Sequence, residues 1–199
     1  MGSAARATQR LFIAIDPPEE AVTHLGVVVD TLSVSRLNEP GRSTRLAPRD
    51  RWHITLAFLG DVPTRRIGRV SDALAAGVAA GKGLGQLRFA GGGTFGRGNF
   101  TILWAGLGGD VPGLRRLAQA VRRELGRARV SYDQKSFRPH LTLSRPGSRV
   151  SAELIAEDVA ILEAYEGPLW SVEHVHLVAS EIGPSPRHTR IVSVPVEAS

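Results

Sequence analysis

The chain has 199 residues, no cysteine and a formal net charge of +6. Its length and 42% hydrophobic content suffice for one core-bearing domain or two small lobes. The absence of cysteine excludes disulfides, thiolate nucleophiles and cysteine-ligated zinc. We expect one domain over residues 1–199 with residues 1–9 disordered. We also expect a cytoplasmic protein, because no apolar run could span a membrane and the N-terminus lacks the apolar centre of a signal peptide.

The positive charge comes almost entirely from arginine, since Lys82 and Lys135 are the only lysines. A basic surface suits a polyanionic partner such as RNA. A chain rich in Arg, Ala and Gly is also what a GC-rich coding sequence produces, whatever the function. Composition therefore leaves the partner open.

The first half of the chain alternates predicted strands and helices. The apolar run RLFIAID predicts a strand over 10–16, and the Pro-Pro-Glu-Glu turn after it begins a helix with apolar residues at helical spacing as far as Leu32. The stretch 33–48, rich in Pro, Gly, Ser and Arg, predicts a loop or a mobile edge. A second strand then ends at 60–63, and a helix is expected over 64–80.

Residues 87–107 predict two strands around a glycine-rich connection. The connection holds Gly91, Gly93 and Gly96 at the GxGxxG spacing of a dinucleotide-binding turn. That motif requires a helix after the glycines, whereas residues 100–104 predict a strand. We therefore interpret the glycines as a flexible hairpin loop.

The second half repeats the order of elements. A helix is expected over 111–128, whose outward arginines are most simply a solvated face and, as the less favoured interpretation, an RNA-guiding patch. A strand with a second histidine motif follows, then a polar loop at 146–148, a helix near 151–164, and strands over 172–182 and 190–196. Each half thus supplies strand, helix, histidine strand, helix and strand. We predict an ancient duplication with an α+β fold of two pseudo-two-fold lobes, antiparallel sheets lining a central cleft and helices outside.

One short pattern occurs in both halves, HITL at 53–56 and HLTL at 140–143. Both copies lie in runs of alternating residue type, which predicts strands with His and Thr on one face. Alternation puts the following residues on the core side: Ile54, Leu56, Phe58, Leu141 and Leu143. It puts these on the opposite side: His53, Thr55, Ala57, His140, Thr142 and Ser144.

Two histidines that reach one pocket can divide a proton transfer, because an unperturbed pKa of about 6.5 leaves both a neutral base and an imidazolium acid available. The threonine hydroxyls can donate to phosphate oxygens, and Arg145 would offset phosphate charge. These groups predict in-line displacement at phosphorus without a metal or cofactor. A lone strand histidine is more often structural, but two copies in matching contexts favour catalysis by His53 and His140.

The other histidines have weaker patterns. His174 and His176 share a strand face, but no third metal ligand has supporting spacing, so no metal site is predicted. His24 falls within a predicted helix and is expected to be structural.

With these motifs the chain resembles the 2H phosphoesterase superfamily, named for two His-x-Thr/Ser-x motifs, and within it the RNA 2′,3′-cyclic phosphodiesterases, also called 2′-5′ RNA ligases. The segments that carry the similarity are RLFIAIDPPEE, HITLAFLG, residues 95–104, FRPHLTLSR and LVASEIGP. The resemblance implies a bilobal fold with a central groove, no cofactor, and hydrolysis of a terminal RNA 2′,3′-cyclic phosphate to a 2′-phosphomonoester. Reversal of the same transesterification, with a ribose 5′-hydroxyl replacing water, would be 2′-5′ ligation.

The resemblance also implies residue roles. His53 would be the proton donor to the leaving 3′ oxygen, and His140 the proton acceptor that activates water. Thr55 and Thr142 would hold phosphate oxygens, and Arg145 matches an arginine that follows the second motif.

For four aromatic or imidazole side chains, the sequence does not decide whether they contact the nucleotide. His188 aligns where such proteins commonly have a tyrosine, and substrate preference would differ if that tyrosine contacts the nucleotide. Trp52, Phe58 and Phe95 either stack on a base or belong to the core. We keep Phe58, with Arg145, as a candidate substrate-binding residue.

The expected partner is RNA with a 2′,3′-cyclic phosphate end, acted on by a monomer with no obligate protein partner. Two alternatives stay open. The same chemistry could serve a small cyclic nucleotide or an ADP-ribose cyclic phosphate, or the chain could be a non-catalytic RNA-binding protein that uses its arginine surface.

Overall fold

The computed structural model describes residues 7–41, 43–181 and 187–197. The elements in chain order are β1 (Thr8–Ile15), α1 (Glu19–Thr31), α2 (Ser33–Arg36), β2 (Ile54–Pro63), α3 (Ile67–Ala80), β3 (Leu87–Phe95), β4 (Ile102–Gly109), α4 (Val111–Arg127), β5 (Leu141–Ser144), α5 (Ala152–Glu163), β6 (His174–Glu181) and β7 (Arg187–Pro195). They form two antiparallel sheets, with the orders β2-β1-β6-β7 and β3-β4-β5. The predicted α+β class is confirmed.

The two sheets repeat one arrangement in which the halves of the chain exchange a strand. The first half contributes β1, β2 and β3 in turn, and the second half contributes β4, β5 and β6. In the sheets, the order β2-β1-β6 matches β5-β4-β3. The third strand of each half therefore pairs with the first strand of the other half, which joins the two halves of the chain by backbone hydrogen bonds.

Each histidine strand is an edge strand, and the segment that precedes the other histidine strand covers its open edge. The backbone N–H of Ala47, ahead of β2, donates to the carbonyl oxygen of Leu143 in β5 over 2.8 Å. The backbone N–H of Asp133, ahead of β5, donates to the carbonyl oxygen of Phe58 in β2, also over 2.8 Å. Pairing satisfies edge groups that would otherwise be open, and it holds β2 and β5 on facing sides of one cleft.

A continuous hydrophobic core reaches both sheets. Alternation along β1 buries Leu11, Ile13 and Ile15 completely, and these residues belong to the same cluster as Leu87 in β3 and Leu103 in β4. Burial of such side chains is the main favourable contribution to folding. A shared core fits one folding unit with two lobes.

The helices cover the sheets with the faces that their sequences predict. The apolar stripe of α4 is fully buried at Leu114, Leu117, Val121 and Leu125. This helix begins where the Asp110 side chain accepts a hydrogen bond from the backbone N–H of Gly113, a standard N-cap contact.

Three expectations about chain segments need correction. The predicted loop 33–48 begins with the short helix α2, whose first two backbone N–H groups donate to the buried carboxylate of Asp158 in α5. The glycine-rich stretch is a strand as far as Phe95, with a bulge between Phe89 and Gly92, and the hairpin turn comes only after it. At the N-terminus, β1 includes Thr8 and Gln9, and the predicted disorder of residues 1–6 lies outside the described residues.

The helices of the described part of the chain include none that is both long and apolar enough to cross a membrane. The expected cellular location stays a prediction.

Candidate active site

All six candidate residues line one cleft between the two sheets. The cleft has a volume of about 1290 Å³, and its walls include His53, Thr55 and Phe58 from the β2 side and His140, Thr142 and Arg145 from the β5 side. The two histidine motifs, 87 positions apart in the sequence, therefore face a common space.

Strand β2 departs from strict alternation just after its motif. The pairing of β1 with β2 shifts register between Ile13 and Ala14, where Ala14 opposes Thr55 and Ile13 opposes Ala57. The extra residue, Leu56, is a β-bulge, which turns the next side chains to the other face. Ala57 is therefore buried and Phe58 lines the cleft, the reverse of the predicted faces.

Strand β5 has a matching irregularity. Leu103 of β4 opposes Ser144 and Trp104 opposes Thr142, so Leu143 is the extra residue. Ser144 was predicted to face the cleft, but it is completely buried and its hydroxyl donates to the carbonyl oxygen of Thr44 over 2.7 Å. His140 and Thr142 keep their predicted side.

Both histidines are held in the same tautomer by the same local contact. The Nδ1 atom of His53 lies 2.7 Å from the carbonyl oxygen of Arg51, and that of His140 lies 2.6 Å from the carbonyl oxygen of Arg138. A carbonyl oxygen can only accept, so in each ring Nδ1 carries the proton and donates it. Each Nε2 is left to exchange a proton with a bound substrate.

Burial sets the acidity of both rings. Desolvation is the largest cause that lowers the pKa of His53, and it outweighs the hydrogen bond to Arg51 and the carboxylate of Asp16, which favour the cation. Desolvation also lowers the pKa of His140, and the charge of Arg145 lowers it further. The neutral form is therefore favoured in both rings, and an imidazolium at either position is a stronger acid than free histidine.

Aromatic rings from other strands of the same sheet contact each imidazole. Phe12 of β1 lies against His53 with ring centroids 4.8 Å apart. Phe95 meets His140 edge-on at 4.9 Å and is itself stacked on Trp104 at 5.1 Å. Phe95 is thus a support for His140 in this structure.

The cleft is rich in positive charge. Its lining includes five cationic side chains and two carboxylates. The cations are Arg10, Arg45, Arg51, Lys135 and Arg145, and the carboxylates are Asp133 and Glu181. An excess of cations in a partly desolvated cleft attracts and stabilises a phosphate group.

Several of these lining residues were absent from the predicted site. Arg10 and Phe12 are two positions apart in β1 and share its cleft face, so alternation could have found them. Arg51 also precedes His53 by two positions, but it ends a single 3-10 turn at Arg49–Arg51, where alternation carries no signal. Arg45 and Lys135 lie in irregular segments, which carry no periodic signal that could have predicted their place in the cleft.

The remaining aromatic and histidine candidates lie as follows. Trp52 is buried and its Nε1 donates to the carbonyl oxygen of Ala47, so it belongs to the core. His24 in α1 hydrogen-bonds the hydroxyl of Tyr165 at 2.8 Å, a structural contact. His174 and His176 are stacked at 5.9 Å in β6. Within the described ranges, no three His, Cys, Asp or Glu side chains are grouped so that they could hold a metal ion.

His188 lies beside the catalytic candidates. It lines the main cleft and also a second cavity of about 640 Å³ behind His53. Its pKa is lowered by burial and next by the charge of His53. The position singled out by the resemblance is therefore in the site.

Two antiparallel sheets with a histidine pair across one basic cleft form the architecture expected of two-histidine phosphoesterases. A family model described as the 2′-5′ RNA ligase superfamily matches residues 17–183, and the chain belongs to this superfamily.

Curated relatives and solved structures agree with this assignment. The chain is 33% identical over 146 residues to an RNA 2′,3′-cyclic phosphodiesterase of Geobacillus stearothermophilus, over 73% of this chain and 45% of the relative. It is 31% identical over 140 residues to one of Escherichia coli K12, over 70% of this chain and 73% of the relative. The chain thus spans less than half the length of the first of these relatives.

Two crystal structures illustrate the shared fold. Escherichia coli LigT in complex with ATP has a TM-score of 0.70 at 25% identity, covering 96% of this chain and 99% of that one. A protein of Thermus thermophilus has a TM-score of 0.69 at 26% identity, covering 94% of this chain and 97% of that one.

Proposed function

We propose that this protein hydrolyses terminal 2′,3′-cyclic phosphates of RNA to 2′-phosphomonoesters, with His53 as proton donor and His140 as proton acceptor. The observation that carries the proposal is the matched pair of imidazoles in one basic cleft, each with Nδ1 fixed on a carbonyl oxygen and Nε2 left for the substrate. The names of the curated relatives support the same activity.

The proposed step is an in-line displacement at phosphorus. Nε2 of neutral His140 takes a proton from water as the water oxygen forms a bond to phosphorus. The bond from phosphorus to the 3′ oxygen breaks, and Nε2–H of the His53 imidazolium gives its proton to that oxygen. Afterwards His53 is neutral and His140 is protonated, and proton exchange with solvent restores the starting state.

The surroundings suit each half of this transfer. The lowered pKa of His53 makes its imidazolium a readier donor, and that of His140 keeps the base neutral near neutral pH. The hydroxyls of Thr55 and Thr142 can donate to the nonbridging oxygens, and the Arg145 guanidinium can offset their charge. With a ribose 5′-hydroxyl in place of water, the same displacement forms a 2′-5′ phosphodiester bond and releases the 3′ oxygen, which is the ligating reaction.

A second candidate keeps this mechanism on small cyclic nucleotides. Its support is that Escherichia coli LigT, similar over 96% of this chain, was crystallised with ATP and with NADP⁺. A cleft that accepts a mononucleotide does not need a polynucleotide for binding.

The decisive assay uses an oligonucleotide that ends in a 2′,3′-cyclic phosphate, compared with a 2′,3′-cyclic mononucleotide, with the product mapped as the 2′ or 3′ monoester. We expect the 2′ monoester, a higher kcat/KM for the oligonucleotide, and no loss of rate with a chelator. A 3′ monoester would mean that the 2′ oxygen leaves phosphorus, which contradicts the assignment of the 3′ oxygen as leaving group. No turnover of either substrate would leave the RNA-binding alternative and contradict the proposal.

A further inference from the structure

A second, smaller groove lies outside the catalytic cleft, between α4 and the segment 132–137. It has a volume of about 460 Å³, and we call it the α4 groove. The residues that line it are Arg115, Gln119, Arg122, Arg123, Tyr132, Ser136 and Phe137.

The helix supplies the basic wall of this groove through its periodicity. Arg115, Gln119, Arg122 and Arg123 are spaced by four, seven and eight positions from the first, so they lie on one face of α4. The opposite, apolar face of the helix is in the core. Three guanidinium groups are thereby concentrated on one surface, and no carboxylate occurs among the described residues that line the groove.

Arg122 is the fixed part of this wall. Its Nε donates to the carbonyl oxygen of Leu56 in β2 and its Nη1 to that of Lys135, both over 2.8 Å. Its guanidinium also lies 5.9 Å from the ring centroid of Tyr132 and 5.5 Å from that of Phe137. These contacts hold the segment 132–137 against the helix, so the groove has a defined shape before any ligand binds.

Arg115 and Arg123 are the adaptable part. Arg115 donates to the carbonyl oxygen of Phe137 over a long distance of 3.3 Å. Arg123 lies 3.4 Å from the carboxylate of Glu124, which is closer to Arg127 at 2.8 Å. Both side chains are exposed. Their remaining donors are available to an anion in the groove.

The segment 132–137 lines both the α4 groove and the catalytic cleft. Asp133 and Lys135 line the cleft, while Tyr132, Ser136 and Phe137 of the same segment line the groove. A polynucleotide whose end lies between His53 and His140 can therefore leave the cleft past the exposed Lys135 and continue into the groove.

We propose that the α4 groove binds backbone phosphates of the RNA whose cyclic end occupies the cleft, an inference that rests on the proposed function. Arginine donors match phosphate oxygens. Arg122 already lies over one face of Tyr132 and one face of Phe137, so the groove offers guanidinium donors more than a base-stacking platform. Binding there is independent of base sequence and favours polynucleotides over mononucleotides.

The test measures binding separately from turnover. The probe is a labelled single-stranded RNA of about eight nucleotides that ends in a 2′-phosphate and cannot react further, titrated by fluorescence anisotropy over a range of salt. The test protein is the double variant R115Q/R123Q, which keeps Arg122 in place. The matched control is R65Q/R69Q, which removes two exposed arginines, one just before α3 and one in its first turn.

We expect R115Q/R123Q to bind the RNA about ten-fold more weakly at low salt. Its slope of log affinity against log salt should be smaller by about 1.4, since each phosphate contact on a single strand contributes about 0.7. The control should keep the wild-type slope. Equal slopes in both double variants would overturn the inference, as would tighter binding of an oligoglutamate peptide than of the RNA.

A second arm connects the groove to catalysis. The ratio of kcat/KM for the cyclic-ended oligonucleotide to that for the cyclic mononucleotide should fall about ten-fold in R115Q/R123Q and stay unchanged in R65Q/R69Q. Salt-dependent RNA binding that needs Arg115 and Arg123, without turnover of either substrate by the wild type, would refute the proposed function and leave the groove assignment standing.

Discussion

His188 stands edge-on to His53, with ring centroids 5.4 Å apart and planes inclined at 78°. Phe12 contacts both rings, at 4.8 Å and 5.1 Å. The last strand of the chain, β7, thus takes part in enclosing the imidazole that β2 presents. Since burial is the main cause that lowers the pKa of His53, the side chain at position 188 helps to set that pKa.

Replacing His188 by alanine should raise the pKa of His53, because it admits water and reduces the desolvation that disfavours the imidazolium. His53 must be protonated to act as donor, so the alkaline limb of the kcat/KM profile should move to higher pH. NMR titration of the ring C–H signals gives the pKa directly. His188→Phe keeps the ring contacts and should leave the pKa near its wild-type value; equal shifts in both variants would contradict this cause.

His53→Ala and His140→Ala should each lower kcat/KM by about 10² to 10⁴, the usual contribution of one general acid or base. Neither should unfold the protein, because both rings lie on the cleft side and the core is formed by their neighbours. The measurement is turnover of the cyclic-ended oligonucleotide together with a thermal melt. His174→Ala, an exposed histidine of β6, is the matched control and should keep full turnover.

Arg145→Ala should raise both KM and the pKa of His140, since the guanidinium charge lowers that pKa. His140 must be neutral to act as base, so the acidic limb of the kcat/KM profile should move to higher pH. Arg145→Lys retains the charge and should leave the limb in place while losing bidentate contact with phosphate. A pH profile of each variant separates the two effects, and an unshifted limb in the alanine variant would contradict the role of this charge.

Arg45→Gly should increase the free energy of unfolding and at the same time weaken substrate binding. Arg45 has a φ of 53°, in the left-handed region that costs a side-chain-bearing residue free energy. Glycine removes that cost, so we expect a gain of up to about 1 kcal/mol after its own entropic cost, together with a higher KM because a cleft cation is lost. Arg129, with a φ of 54° and a position outside the cleft lining, is the matched control. Arg129→Gly should alter stability similarly with KM unchanged; a rise in KM there too would remove the argument for Arg45.

Asp158→Ala should lower the free energy of unfolding by about 2 to 5 kcal/mol, because it leaves two backbone N–H groups at the start of α2 without their acceptor. The carboxylate is completely buried and accepts from Ser33 over 2.6 Å and Val34 over 3.1 Å. Urea titration measures the loss. Asp30→Ala, which removes an exposed ion pair with Arg49, should cost under about 1 kcal/mol. Similar losses in both variants would contradict this account.

The sequence alone determined the four long helices, the strands at the two histidine motifs and the motifs themselves. Helices α1, α3, α4 and α5 lie within two or three residues of their predicted bounds, because apolar residues at helical spacing are a local signal. The strands that follow His53 and His140 could be predicted equally well, since the alternation of polar and apolar residues is also a local signal. The repeated order of elements likewise predicted a duplication before any sheet was known.

Tertiary structure alone decided how those pieces form a site. The bulges at Leu56 and Leu143 turned Phe58 into the cleft and Ser144 into the core, and a bulge depends on the partner strand rather than on local sequence. The exchange of β3 and β6 between the halves brought His188 to His53. Loop cations such as Arg45 and Lys135 reached the cleft through backbone contacts between segments far apart in the sequence, for which a single sequence carries no periodic signal.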